Sequence, residues 1–314
     1  MEHQPVLADR VAELLVPCVA DGGVVVDATL GRGGHARRIL QDAPGASVVG
    51  LDRDPEALEK TGADLSAFGD RLRLVRSDFQ DISAVLERLG IAEVRGILFD
   101  LGVSSPQLDD PSRGFSFRAA GPLDMRMDPT QRLAAEDVVN YYAEADLARV
   151  IRRFGEERFA ARVARAIVAA RPVADTRALA EIVKAAIPAA TRRTGGHPAR
   201  RTFQAIRIEV NRELDALERA LPDALDELEV GGRVVVIAYH SLEDRIVKRT
   251  FNDEARGCVC PPSFPICTCG AMARVRVLTR KPVRPPADEV ARNPRAAAAR
   301  LRAAERIGSS GEAA

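Results

Sequence analysis

The first hundred residues alternate short apolar runs with helix-forming sequence, and no other feature limits the fold of this chain so tightly. Val24-Val25-Val26-Asp27-Ala28 is a β-branched run ending in a glycine-rich turn, and the pattern after it predicts a helix from about Gly34 to Leu40. Ser47 to Asp52 reads as a second buried strand, Leu72 to Val75 as a third, and Gly96 to Asp100 as a fourth. After the second strand, Asp54-Pro55 supplies an N-cap with proline at the first helical position, where its missing N–H is not needed. Strands alternating with helices in this way form a parallel sheet covered by helices, an α/β fold. The ligand site of such a sheet lies at the carboxyl ends of its strands.

The character changes near Asp109, and no strand-like run recurs until Arg233. Phe203, Ile206, Val210, Leu214 and Leu217 follow one another at steps of three and four, the mark of one apolar helical face. Gly231-Gly232 then leads into Val234-Val235-Val236-Ile237-Ala238, a fifth buried strand. The expected organisation is a sheet domain over residues 1–108, an inserted helical domain over 109–218, and the rest of the sheet domain with a tail over 219–314. The tail after Ala287 is rich in alanine and arginine and fits no single pattern. At 46% hydrophobic and 29% charged residues, the chain has enough apolar surface to bury cores of this size.

Gly31-Arg32-Gly33-Gly34-His35-Ala36 lies between the first strand and its helix, where glycines let backbone N–H groups approach a ligand at a helix N-terminus. Asp52, 21 positions after Gly31, ends the second strand and can accept hydrogen bonds from ribose hydroxyls. Gly31-x-Gly33-x-x-Ala36 also satisfies the dinucleotide fingerprint, so the turn admits NAD, and an oxidoreductase, as well as S-adenosylmethionine. Asp27 favours the second, because methionine carries an amino group that NAD lacks. Asp78-Phe79 after the third strand can meet adenine, the ring by packing and the carboxylate through the base's amine; Phe79 alone reads as core filling.

From Asp100 the sequence resembles a known family. Asp100-Leu101-Gly102-Val103-Ser104-Ser105-Pro106-Gln107-Leu108-Asp109, Arg113-Gly114-Phe115-Ser116-Phe117 and Gly121-Pro122-Leu123-Asp124-Met125-Arg126-Met127 are similar to runs of the bacterial 16S rRNA cytosine-N4 methyltransferases, the RsmH or MraW family. Gly155-Glu156-Glu157-Arg158-Phe159, Arg201-Thr202-Phe203-Gln204-Ala205, His240-Ser241-Leu242-Glu243-Asp244-Arg245 and Asn293-Pro294-Arg295 continue the resemblance over nearly the whole chain. It implies a Rossmann-like class I methyltransferase sheet with an inserted all-helical domain. It implies S-adenosylmethionine held by Gly33, Gly34, His35, Asp52, Phe79, Asp100 and Gln107. The implied substrate is the exocyclic amine of one decoding-region cytidine in the 16S rRNA of the small ribosomal subunit.

Two residues are candidates for the chemistry. Asp100, at the end of the fourth strand, can accept a hydrogen bond from the target amine or bind the cofactor. His240, at the end of the fifth strand, can accept a proton or serve as a hydrogen-bonded structural histidine. Ser241-x-x-Asp244 resembles a capping box, which would account for both residues. With 46 basic and 45 acidic residues there is no overall basic field, so RNA must meet local patches. Arg192, Arg193, Arg200 and Arg201 surround a glycine-rich loop free of acids and are the expected RNA contacts. Arg149, Arg152, Arg153, Arg158, Arg162 and Arg165 read as a solvated helical face.

Cys258, Cys260, Cys267 and Cys269 admit a structural zinc, but paired C-x-C spacing is less typical than C-x-x-C and zinc is not favoured. The opening residues lack the regions of a signal peptide and no apolar run is long enough to span a membrane, so a cytoplasmic protein is expected. The oligomeric state stays open, a homodimer included. A non-catalytic RNA-binding assembly factor is the remaining alternative, which the intact cofactor constellation opposes.

Overall fold

In the computed structural model the described residues are 5–189, 196–257, 260 and 272–308. The chain forms two compact units, Met1–Gly102 with Leu214–Ala314, and Val103–Glu213.

The first unit is built on seven strands, β1 (Gly23–Asp27), β2 (Ala46–Asp52), β3 (Leu72–Arg76), β4 (Val94–Asp100), β5 (Leu228–Ala238), β6 (Val275–Val277) and β7 (Arg300–Arg306), in the order β3-β2-β1-β4-β5-β7-β6. The first five are parallel, and β7 runs antiparallel to both β5 and β6. The β-branched runs form the central strands because helices cover the sheet and both faces need apolar side chains. Val25, Val26, Ile97, Leu98, Phe99 and Val234 to Ile237 are accordingly almost wholly buried. Strand order reverses between β1 and β4, where an open sheet leaves a crevice at its carboxyl edge. Helices Gly34–Asp42 and Pro55–Asp64 follow β1 and β2. The second starts as expected, with the Asp54 carboxylate accepting from the Glu56 N–H at 3.1 Å and Pro55 in the first turn.

The tail, unreadable from its pattern, enters the sheet as β7, between β5 and β6. Its alanines favour helix in isolation, but Leu301, Ala303 and Ala304 are buried where β5 and β6 offer a ladder on each side. Arg233 of β5 pairs with Glu305 of β7 at 3.0 Å across that ladder.

The second unit is helical, with helices Ser105–Asp109, Ala135–Asn140, Glu144–Gly155, Ala160–Ala169, Thr176–Ala186 and Arg200–Asn211. Leu147, Ile151, Val163, Ile167, Phe203 and Ile206 lie at its core. Its limits differ from the expected 109–218. At the start, the Ser104 hydroxyl caps helix Ser105–Asp109 and Leu108 packs on the helical core. At the end, Arg212 takes a left-handed conformation (φ 50°) and stops helix Arg200–Asn211. The single apolar face expected from Phe203 to Leu217 is therefore two. Phe203, Ile206 and Val210 face the helical core, while Leu214 and Leu217 belong to the next helix, Glu213–Asp226. Among the described residues, no helix is long and apolar enough to cross a membrane.

Candidate active site

The glycine turn after β1 is shaped by close contacts. Gly31 and Gly33 have φ of 50° and 66°, which side chains resist, and a Cβ on Gly33 would stand 2.5 Å from the Thr61 methyl. The Gly31 N–H donates to Asp52 Oδ2 at 2.9 Å, and the Thr61 hydroxyl donates to the Gly31 carbonyl at 2.8 Å. Gly33 caps helix Gly34–Asp42, whose first residue sits against the Pro5 ring. The turn thus brings a helix N-terminus to the ends of β1 and β2.

Three aspartates end three neighbouring strands: Asp52 on β2, Asp27 on β1 and Asp100 on β4. Asp27 is 1% exposed, and burial pushes its pKa up to about 6 against the pull of His35, with Asp100 and Asp52 adding to the rise. Asp52 accepts from the N–H groups of Gly31 and Asp54, and burial raises its pKa as well. His35 is 5% exposed, lies 3.5 Å from Asp100 Oδ2 through Nε2, and makes no ring-nitrogen hydrogen bond among the described residues. Past β3, Asp78 accepts from Arg53 at 3.2 Å and from the Gln80 N–H, while the buried Phe79 ring meets Phe99 edge-on at 5.7 Å. Gly33, Gly34, His35, Asp52, Phe79 and Asp100 are therefore all residues of one unit, at the carboxyl edge of one sheet.

Two partners of Asp100 escaped the sequence reading. Its N–H donates to the Thr29 hydroxyl at 2.6 Å, and the Tyr239 hydroxyl donates to its Oδ1 at 2.8 Å. Burial, then Asp100 itself, pushes the Tyr239 pKa well above the usual range, so the phenol stays a donor. The available signal was position: Tyr239 directly follows β5, the neighbour of β4.

The expected capping box is displaced by one residue. His240, not Ser241, caps helix Ser241–Glu254: its Nδ1 accepts from the Glu243 N–H at 3.3 Å, and Glu243 Oε2 accepts from the N–H groups of His240 (3.1 Å) and Tyr239 (2.8 Å). His240 Nε2 lies 3.2 Å from Glu243 Oε1. Of its two readings, this geometry supports the structural one. Asp244, freed from capping, pairs with Arg302 at 2.6 Å and Arg300 at 3.4 Å, fastening β7 to the helix.

The profile of the MraW methylase family matches residues 1–307. The chain belongs to that family. Proteins named ribosomal RNA small subunit methyltransferase H are similar to it throughout. One from Mycobacterium sp. (strain KMS) is 55% identical over 313 residues, covering 98% of this chain and 84% of that relative. One from Heliobacterium modesticaldum is 52% identical over 310 residues, covering 97% and 98%. An rRNA methylase structure from Streptococcus thermophilus aligns with a TM-score of 0.44 at 14% identity, over 98% of this chain and 99% of that one.

The other expected residues belong to the helical unit or fall outside the described residues. Gln107 belongs to the helical unit, where its Oε1 accepts from the Ser104 N–H at 3.1 Å and completes a capping box. Arg200 and Arg201 are exposed at the start of helix Arg200–Asn211. Arg192 and Arg193 lie outside the described residues, as do Cys258, Cys267 and Cys269, three of the four thiols of the zinc expectation.

Proposed function

We propose that this chain is an S-adenosylmethionine-dependent methyltransferase that methylates the N4 amine of a decoding-region cytidine in the 16S rRNA of the small ribosomal subunit, in the cytoplasm. The charge of the strand edge carries the reading. Asp27, Asp52 and Asp100 repel one another in a poorly solvated site. A sulfonium and an ammonium offset that repulsion, whereas a pyrophosphate adds to it. The names of the relatives, identical to this chain at more than half of the aligned positions, support small-subunit rRNA as the substrate class.

The residues fit such a donor. The Gly31–Gly34 turn brings the N-terminus of helix Gly34–Asp42 to a carboxylate, Asp27 suits the ammonium, and Asp52 retains lone pairs for ribose hydroxyls. Phe79 packs beside the adenine position. Bound there, S-adenosylmethionine supplies a methyl group made electrophilic by its sulfonium. The cytosine amine is a weak nucleophile because its lone pair is delocalised into the ring. Asp100, with a side chain 24% exposed, accepts from the amine, favours its localised form and takes up the departing proton.

RNA contact falls to the helical unit. The Gln204 amide donates to the Phe154 carbonyl at 2.9 Å and Arg201 Nη1 to the Glu156 carbonyl at 3.2 Å, joining the end of helix Glu144–Gly155 to the start of helix Arg200–Asn211. Arg152, Arg153, Arg158, Arg200 and Arg201 are exposed around this junction, and none has a carboxylate partner among the described residues. Arg153 and Arg158 stand over the rings of Phe154 and Phe159 at 4.9 and 4.7 Å, which limits their freedom. Such arginines suit phosphates better than the purely solvated face read from the sequence.

Labelled methyl transfer to small subunits from cells lacking the enzyme, with mapping of the product, tests the reading. Wild type labels one cytidine at N4, and Asp100→Ala loses nearly all of the label. Absence of transfer by folded protein that binds NADH but not S-adenosylmethionine would overturn it.

A further inference from the structure

Asp100 has two oxygens and freedom to rotate, yet an acceptor for one amine must present one oxygen in one direction. Its backbone is held by Thr29, and its side chain by the Tyr239 hydroxyl at 2.8 Å on Oδ1. Tyr239 is itself fixed. Its N–H donates at 2.8 Å to Glu243, which is buried within the capping box, and its ring packs against the sheet core. His35 Nε2 stands 3.5 Å from Oδ2, and Oδ2 has no bond to Tyr239.

We infer that Tyr239 is a positioning residue for methyl transfer: by occupying Oδ1 of Asp100 it leaves Oδ2 as the oxygen that accepts from the target amine. The inference rests on the role given to Asp100 under the proposed function and extends it to a residue that acts through that carboxylate. Several features make the arrangement durable. The phenol keeps its proton, so it stays a donor to Oδ1. A hydrogen bond to an ionised acceptor is also short and directional, as required to hold a rotor still. The chain of contacts runs from the helix cap through Glu243 and Tyr239 to Asp100, so the fold of β5 and its following helix sets the aim of the carboxylate on β4.

The test uses full-length wild type, Tyr239→Phe, Asp100→Ala and the double variant. It measures calorimetric affinity for S-adenosylmethionine, thermal midpoint, and single-turnover methyl transfer to small subunits. Tyr239→Phe is expected to keep the midpoint within a few degrees and the affinity within about twofold. Its transfer rate is expected to fall on the order of a hundredfold, the scale of a misplaced reacting group, with KM for the subunit unchanged. In the Asp100→Ala background the same change is expected to slow any residual transfer no further. A folded Tyr239→Phe with wild-type turnover, a loss confined to cofactor affinity, or an additional loss in the Asp100→Ala background would each overturn the inference. Wild-type turnover by Asp100→Ala would instead remove the role of Asp100 itself, an outcome separable from failure of Tyr239 alone.

Discussion

The N–H of Gly31 is bonded to the carboxylate of Asp52 at 2.9 Å, so the glycine turn after β1 and the acidic end of β2 are one structural piece. Asp52 also accepts from the Asp54 N–H at 2.9 Å, beside the N-cap of the next helix. Replacing Asp52 with alanine strands two backbone donors. It should lower unfolding stability by about 2 kcal/mol and weaken S-adenosylmethionine binding at least about tenfold, roughly 1.4 kcal/mol. Denaturant unfolding and calorimetry read the two losses separately; an unchanged stability would mean the turn does not depend on Asp52.

Gly33 and Gly90 share a left-handed backbone but not their surroundings. Gly90, at φ 68°, has nothing within 4 Å of an added Cβ, whereas one on Gly33 would meet Thr61 at 2.5 Å and Leu65 at 2.8 Å. Gly90→Ala should cost about 1 kcal/mol from the backbone alone. Gly33→Ala should cost about 3 kcal/mol with the clash included and displace the turn that approaches the cofactor. Equal thermal shifts in the two variants would count against this account.

The buried Asp27 gives the ligand-free protein a predictable pH dependence. Its pKa rises from the usual 3.8 to about 6 in the folded state. Below the lower value both folded and unfolded chains hold the proton. Between the two values only the folded chain holds it, and above the upper value the folded chain carries the buried charge at full cost. The stability contribution of Asp27 therefore falls as pH rises through this window, by roughly 3 kcal/mol in total. Asp27→Asn should gain stability relative to wild type as pH climbs through that window, while binding S-adenosylmethionine more weakly. A difference between variant and wild type that stays flat across the window would contradict the assignment.

Asp244 faces Arg302, whose side chain is 8% exposed, rather than a helix terminus. Removing the carboxylate leaves a guanidinium buried without its ion-pair partner, so Asp244→Ala should destabilise by about 3 kcal/mol. The cap made by His240 and Glu243 should survive. Hydrogen exchange would show this as faster opening of β7 with little change at the first turn of helix Ser241–Glu254; the reverse pattern would restore the capping-box reading.

Much of the site was legible in the chain itself. The runs ending at Asp27, Asp52 and Asp100 had to be central strands, because only a sheet buried on both faces uses such continuous apolar sequence. A parallel sheet brings the ends of such strands to one edge, so the turn at Gly31–Gly34 and the three aspartates could be assigned to one site without coordinates. The break at Arg212 was hidden, since its neighbours keep the helical spacing across it and only the backbone reverses.

Local patterning determined the five parallel strands, the glycine turn and the acidic edge, because periodic burial and the conformational freedom of glycine are properties of neighbouring residues. Tertiary structure alone decided that an alanine- and arginine-rich tail becomes β7 and that Tyr239 reaches Asp100 across 139 residues. It also decided that Asp244 serves Arg302 and Arg300 rather than a helix cap. A hydrogen bond or ladder between distant segments depends on where the whole sheet places them, and no local propensity encodes that distance.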